Sequence, residues 1–491
     1  MDTRHSDPST GHSEHWDPTR PGDDPNLGPK YSIDDPECWN VEDPRCYRPG
    51  GLHPIELGDC LGGGGRFRVV HKLGHGGFST VWLCHDKLSQ KWRAVKVLAA
   101  HASKPESCIE LKACRFLSGF DPQVLEHHHI LSPLETFWLQ GPNGRHLCLV
   151  LPFLGPSLQG GLAHSYGHFP SLLKDICFQL VTAMDFLHRN NLCHGDFRGD
   201  NIMFRLADGV DSWPEVDIMK LLGEPEEVTL WANWDGPEAE MEAPDSLVNR
   251  ASVPLNRCGI CSTDVDIADF GVSYNVSDPP EMTGIPFPLQ SPEEILGVPP
   301  LGFPADLWAL ASTIYEIRLG SLPFLPDDRA YKRLVGMVLR MEFTMGPLPA
   351  QFRPAWKELG MEFANDEEDL SLSVTWNGKV NLDDDDTPRN LEPPFNHIDR
   401  AIISETQRLG LNRAQAEEIM CQEYRVSKLM PGYTRYKHVL GEAWPANYLY
   451  RIDEREVDQL VDLFKSVFKW NPDSRARTKD LLNHPWFEGR N

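Results

Sequence analysis

A chain of 491 residues is long enough for two or three domains, or for one large domain carrying insertions. Its 40% hydrophobic content is that of an ordinary globular protein, and no apolar run nears the roughly 18 residues needed to cross a bilayer, so no membrane role is expected. A formal net charge of -25 argues against direct nucleic-acid binding, which needs clustered Lys and Arg, and suits a basic partner better.

Taken in chain order, the N-terminus MDTRHSDPSTGHSEHWD has no basic start, no apolar core region and no myristoylation glycine, so an intracellular protein is expected. Twelve cysteines in that setting read as reduced thiols packed as small hydrophobes. Cys258 and Cys261 form CGIC, but no second pair lies nearby to complete four zinc ligands. Residues 1–50 hold eight prolines, eleven acidic residues and five basic ones. So few aliphatic residues cannot offset chain entropy, and residues 1–65 are expected to form a disordered acidic, Pro-rich extension. The run Gly62 to Gly65 reads as a flexible loop.

From Arg66 short alternating strands follow (RFRVVHKL, TVWLCHD, WRAVKVL), then a helix around Glu110, then the buried strand Leu147 to Leu154. This predicts a small, mostly antiparallel β domain over 66–151. Past Gly155 the pattern turns helical over 152–487, before a short tail at 488–491. Leu173, Ile176, Leu180, Met184 and Leu187 line one helix face, and helices are also predicted from Ala305 to Arg318 and from Glu456 to Lys469. Two stretches interrupt this scheme as insertions, about 206–264 with a helix-like LLGEPEEV, and about 343–451.

The chemistry sits in motifs spread along this frame. Leu73-Gly74-His75-Gly76-Gly77-Phe78-Ser79-Thr80-Val81 fits G-x-G-x-x-[G/S]-x-V between two strands, where glycines let the backbone close over phosphates and Val81 packs on adenine. Alone such a loop could be a plain turn. Fifteen residues past Val81 stands Lys96 in Ala94-Val95-Lys96, placed to contact the α- and β-phosphates and to pair with a helix glutamate, for which Glu110 is the candidate. The octet HGDFRGDN, His194 to Asn201, supplies Asp196 to accept a hydroxyl proton and Asn201 to hold magnesium; Asp269 of Asp269-Phe270-Gly271 holds it as well. Asp269 lies 68 positions past Asn201, where a tight hairpin needs only a few residues, so the first insertion separates the two halves of one site. His194 and Phe270 read as structural, in a stacked internal column. Asp306 is expected to tie down the octet's backbone, and Glu293 to pair with Arg475.

With six motifs in order, the chain from about Arg66 to Phe487 resembles the eukaryotic protein kinases, whose fold is α+β and bilobal: a small β-rich N-lobe, here 66–151, and a larger helical C-lobe, here 152–487 with both insertions. Within that family it is similar to the SR-protein kinases, in the lead-in GGLHPIELGDCLGGGGRFRVVHKLGHGGFSTVWL, in PADLWALASTIYEI and in the spacer between catalytic loop and DFG. The resemblance implies an ATP- and Mg2+-dependent protein serine/threonine kinase acting on basic, Arg/Ser-rich proteins such as splicing factors, in cytoplasm and nucleus. It places Leu73, Gly74, Gly76, Ser79, Val81, Ala94, Lys96, Glu110, Pro152 and Phe153 at ATP, with Leu151 as gatekeeper.

Several positions depart from the pattern. Gly195 replaces the arginine that normally grips a loop phosphate, which implies activity without loop phosphorylation. Arg198 stands where a lysine usually meets the γ-phosphate, keeping the charge but exchanging a compact ammonium for a planar fork. With Pro286 in place of a threonine, it leaves a tyrosine acceptor open. IPFPLQSPEE lacks the arginines that receive phosphorylated Arg-rich substrates, and nine acidic residues between Glu362 and Asp386 face only Lys379, as a docking groove or a solvated loop. A catalytically weak, nucleotide-binding kinase-fold scaffold is the rival reading; intact Lys96, Asp196, Asn201 and Asp269 weigh against it.

Overall fold

A computed structural model describes residues 31–34, 36, 39–158, 170–232, 242–251, 260–298, 300–319, 322–324, 330–358 and 454–489. The chain divides into two compact units, Met1–Ser157 with Asn201–Ser273, and Leu158–Asp200 with Tyr274–Asn491.

In the first unit a short strand, β1 (Tyr31–Ser32), precedes a six-stranded antiparallel sheet. Its members are β2 (Cys60–Leu61), β3 (Phe67–Gly76), β4 (Ser79–Asp86), β5 (Lys91–Leu98), β6 (Glu135–Gly141) and β7 (Gly144–Pro152), in the order β2-β3-β4-β5-β7-β6. Helix α1 (Ile109–Leu117) follows β5. Val81 lies opposite Lys96 and Lys96 opposite Leu149, while Leu83, Ala94 and Leu151 align one pleat along, so these six share a face. The other face carries Trp82, Cys84, Val95, Val97, Cys148 and Val150, a buried core completed by Phe67 and Val69.

Three expectations change here. Within residues 1–65, residues 31–34 and 39–61 are built into the unit rather than left disordered: Tyr31, Tyr47 and Leu52 pack with Val228, Leu230, Ala243 and Leu247, and β1 pairs with Trp231–Ala232. The few apolar residues of this segment cannot offset its entropy alone, but partners nearly two hundred positions downstream complete their core. Gly62 to Gly65 form a tight hairpin turn between β2 and β3, with Gly62, Gly64 and Gly65 at φ 78, 68 and 65, a region that glycine enters without penalty. Within the first insertion, LLGEPEEV is not helical throughout. The helix Glu215–Leu222 stops at Gly223 (φ 88), and Glu227–Thr229 is a strand paired with Ser246–Val248.

That insertion also belongs with the sheet rather than with the helical C-lobe. Ile218, Leu221 and Leu222 pack against Val70, Leu83, Trp92 and Phe153, and Val248 enters the core on the sheet's other face. Strands Ile202–Leu206 and Cys261–Ile267 pair antiparallel across the base of the insertion, so its ends meet in one hairpin.

The second unit is helical. In Phe303–Leu319 every residue from Ala305 onward is buried except Glu316, as expected of a helix at the centre of its unit. Pro170–Arg189 and Glu454–Val467 pack against it, the latter beginning and ending two residues before its predicted bounds, and Ala330–Met345 is a further helix of the unit. Arg318, fully buried, forms two 2.7 Å contacts with Glu456, which also accepts a 3.2 Å bond from the Trp486 indole. The predicted second insertion starts inside the helix Ala330–Met345 and continues through the helix Arg353–Glu358. Its acidic run, with the docking-groove and solvated-loop readings, lies outside the described residues.

Candidate active site

The first unit carries the nucleotide-type residues. Gly76 pairs with Ser79, leaving Gly77-Phe78 as a two-residue hairpin turn between β3 and β4. Beneath it, Val81, Ala94 and Lys96 share the sheet face that Leu151 completes. Leu73 packs into the cluster that holds Phe153, and Pro152 closes β7 opposite Arg93.

Lys96 is the hub. Its ammonium lies 2.9 Å from Glu110 Oε2 on α1 and 2.7 Å from Asp269 Oδ1. Burial alone would lower its pKa, but the carboxylates of Asp269 and Glu110 outweigh that and hold it above the ordinary lysine value, so it stays charged. Asp269 has φ 63, a conformation that a non-glycine residue adopts only under constraint, and its Oδ1 also accepts a 3.3 Å bond from Gly271 N. A Cβ at Gly271 would sit 2.8 Å from Glu110 Oε2, so the glycine of the triplet is the space in which Glu110 reaches Lys96.

Asn201 and Asp269 flank the hairpin at the base of the insertion. Asn201 precedes strand Ile202–Leu206, Asp269 follows strand Cys261–Ile267, and Ala268 N donates 2.8 Å to Asn201 O. Both offer hard oxygen donors from neighbouring strand ends, a donor set that suits Mg2+.

The second unit carries the octet. Asp306 accepts from His194 N (2.7 Å) and Gly195 N (3.0 Å), and His188 Nε2 lies 3.2 Å from it. Gly195 has φ 76, where an arginine side chain would be strained. Its carbonyl accepts a 2.8 Å bond from Gly284 N. Asp196 N donates 3.2 Å to His194 Nδ1, and the His194 ring meets Phe197 edge-on at 5.7 Å. Phe270 is buried in the first unit. Arg198 lies 3.5 Å from both Asp196 and Asp200. Glu293 and Arg475 form a buried bidentate pair at 2.7 and 2.6 Å, and Arg475 also reaches Pro304 O at 2.9 Å.

Three participants escaped the sequence reading. Glu294, neighbour of the expected Glu293, accepts from Thr283 N (2.8 Å) and Thr283 Oγ1 (2.5 Å), bracing the segment before it. His188 joins Asp306 from the preceding helix. Glu316, the one half-exposed residue of its helix beyond Ala305, is pushed up to about 7 by burial and then by the Asp200 carboxylate. The E in TIYEI was the only available signal for it. Among the described residues no group of three or more His, Cys, Asp or Glu could hold a metal; of the CGIC pair, Cys258 lies outside the described residues.

Residues 67–219 match the protein kinase domain model. Human SRSF protein kinase 3 is 35% identical over 171 residues, covering 34% of this chain and 30% of that protein. Protein kinase dsk1 of Schizosaccharomyces pombe is 37% identical over 169 residues, covering 33% and 30%. Serine/threonine-protein kinase SRPK of Physarum polycephalum is 24% identical over 481 residues and 92% of each chain. The chain thus spans under a third of the length of the first two relatives. A solved kinase-domain structure aligns with TM-score 0.51 at 18% identity, covering 88% of this chain and 98% of that one, and shares its fold. In fold, motif order and the relatives it matches, the chain is similar to the SRPK-like protein kinases.

Proposed function

We propose that the chain is a protein serine/threonine kinase that transfers the γ-phosphate of ATP to a hydroxyl of a basic protein. The observation that carries this reading is Lys96 held ionised between Glu110 and Asp269, since the lysine that contacts the phosphates is engaged with its helix glutamate while the DFG aspartate stands beside it. The glycine hairpin covers the phosphates with backbone N–H groups, and Lys96 balances their charge. Asp196 accepts the proton of the attacking hydroxyl, and Arg198, beside it, orients the γ-phosphate. Asn201 and Asp269 would hold Mg2+, whose chemistry is to neutralise charge developing on the β,γ-phosphates.

The acceptor protein is basic, in keeping with the net charge. Arg/Ser-rich splicing factors have the required chemistry, and a place in cytoplasm and nucleus belongs to the same reading. The test is transfer from radiolabelled ATP to a mixture of basic proteins, followed by an arginine-scanned serine, threonine and tyrosine peptide library. Labelling by wild type and not by Asp196→Asn, with arginine preferred beside serine, is expected. Labelling no stronger than that of Asp196→Asn would leave a kinase-fold scaffold, and tyrosine labelling or indifference to arginine would remove the Arg/Ser substrate.

A further inference from the structure

The strand that leads into the glycine hairpin is gripped from two distant parts of the chain. Lys72, one residue before Leu73, is fully buried, and its ammonium donates to Glu42, which also accepts from the Tyr47 hydroxyl. The Lys72 carbonyl accepts a 2.9 Å bond from Ala251 N. Three residues on, inside Gly74-His75-Gly76, His75 Nε2 donates 3.0 Å to Asn40 Oδ1. Asn40 itself is tied to the insertion: its N donates 2.9 Å to Asn249 Oδ1, and its carbonyl accepts 3.0 Å from Arg250 N. Residues 40–42 and 249–251, over two hundred positions apart, therefore interlock and hold β3 at both Lys72 and His75. Between those grips, at Lys72 and Gly74, the β3–β4 register shifts, as at a β-bulge that re-aims a strand.

A buried Lys–Glu pair is a poor source of stability compared with apolar residues of the same volume, and its best-attested use is to fix one arrangement. The hairpin it adjoins holds Gly74, Gly76 and Gly77, whose backbone freedom would otherwise be lost on binding a nucleotide. We propose that Asn40 and Glu42, with Asn249–Ala251 behind them, form a clasp that presets the glycine hairpin, making Asn40 and Glu42 positioning residues for the nucleotide. The nucleotide part of this inference rests on the kinase reading; the clasp itself does not.

The test compares the full-length wild-type chain with Asn40→Ala, Asn40→Asp and Glu42→Gln, by amide hydrogen exchange and by calorimetric titration with Mg-ADP. Asn40 is exposed, so Asn40→Ala should keep the fold. It should speed exchange of residues 73–79 about fivefold, the effect of one neutral hydrogen bond, while β5 stays unchanged, and should weaken Mg-ADP binding by a similar factor. Asn40→Asp, which keeps the acceptor for His75, should restore both values. Glu42→Gln should speed the same segment further, because it leaves the Lys72 charge unbalanced. Unchanged exchange at 73–79 in Asn40→Ala and Glu42→Gln, or an equal rise in β5, overturns the clasp; faster exchange at unchanged Mg-ADP affinity overturns its positioning role. Wild type that binds no Mg-ADP sinks the kinase reading, and the exchange data then decide the clasp alone.

Discussion

Asp269 and Gly271 show how much a single backbone position decides. Asp269 is held at φ 63 with its carboxylate on Lys96, and Gly271 leaves the space that Glu110 occupies. In Gly271→Ala the new Cβ would press on Glu110 Oε2 from 2.8 Å, so the carboxylate must swing away from Lys96. A displacement of this size at the lysine proposed to contact the phosphates is expected to lower kcat/KM by about a hundredfold, read by steady-state kinetics, with the unfolding midpoint nearly unchanged. Gly195 makes a parallel point. Its identity was legible as a lost arginine, but its φ of 76 and its carbonyl bond to Gly284 were not, because a glycine in a sequence does not announce which conformation it serves.

Among elements, the helix Phe303–Leu319 supplies both support and charge. Asp306 near its start holds the octet backbone, and Glu316 near its end is the partly buried carboxyl that burial raises to about 7. A carboxyl whose folded pKa is raised adds stability that is complete below the unfolded pKa and fades as pH rises through the folded one. The Glu316 contribution is therefore present below about pH 4.5 and lost by about pH 7. Glu316→Gln should remove that decline, so its unfolding midpoint, followed by circular dichroism between about pH 5 and 7.5, should fall less steeply than that of wild type. If the two curves run parallel, Glu316 is not the titrating group.

For the whole molecule, the ties are those that join stretches remote in sequence. Arg318 and Glu456 lie on either side of residues 359–453, and their buried bidentate pair, with the Trp486 indole on Glu456, draws the two stretches into one unit. Removing one partner strands the other charge, so Arg318→Met should cost about 3–5 kcal/mol in urea unfolding, and adding Glu456→Gln should recover much of it. The insertion between octet and DFG works similarly in the first unit, where it supplies core residues to both sheet faces and shelters the N-terminal segment.

The α+β kinase fold, the strand and helix order and the kinase-like motifs are legible in the sequence alone, because period-two and helical patterns are local and the motifs keep their order even where an insertion parts them. The sequence also placed Lys96 with Glu110, Glu293 with Arg475 and Asp306 under the octet, on the strength of the family resemblance. Contacts in three dimensions were needed to see that residues 39–61 are ordered, that the first insertion joins the sheet, and that Asn40 and Glu42 hold the glycine hairpin. The reason is physical: the N-terminal segment is too poor in apolar residues to fold alone, and the free energy that orders it comes from partners remote in sequence, those of the insertion about two hundred positions away.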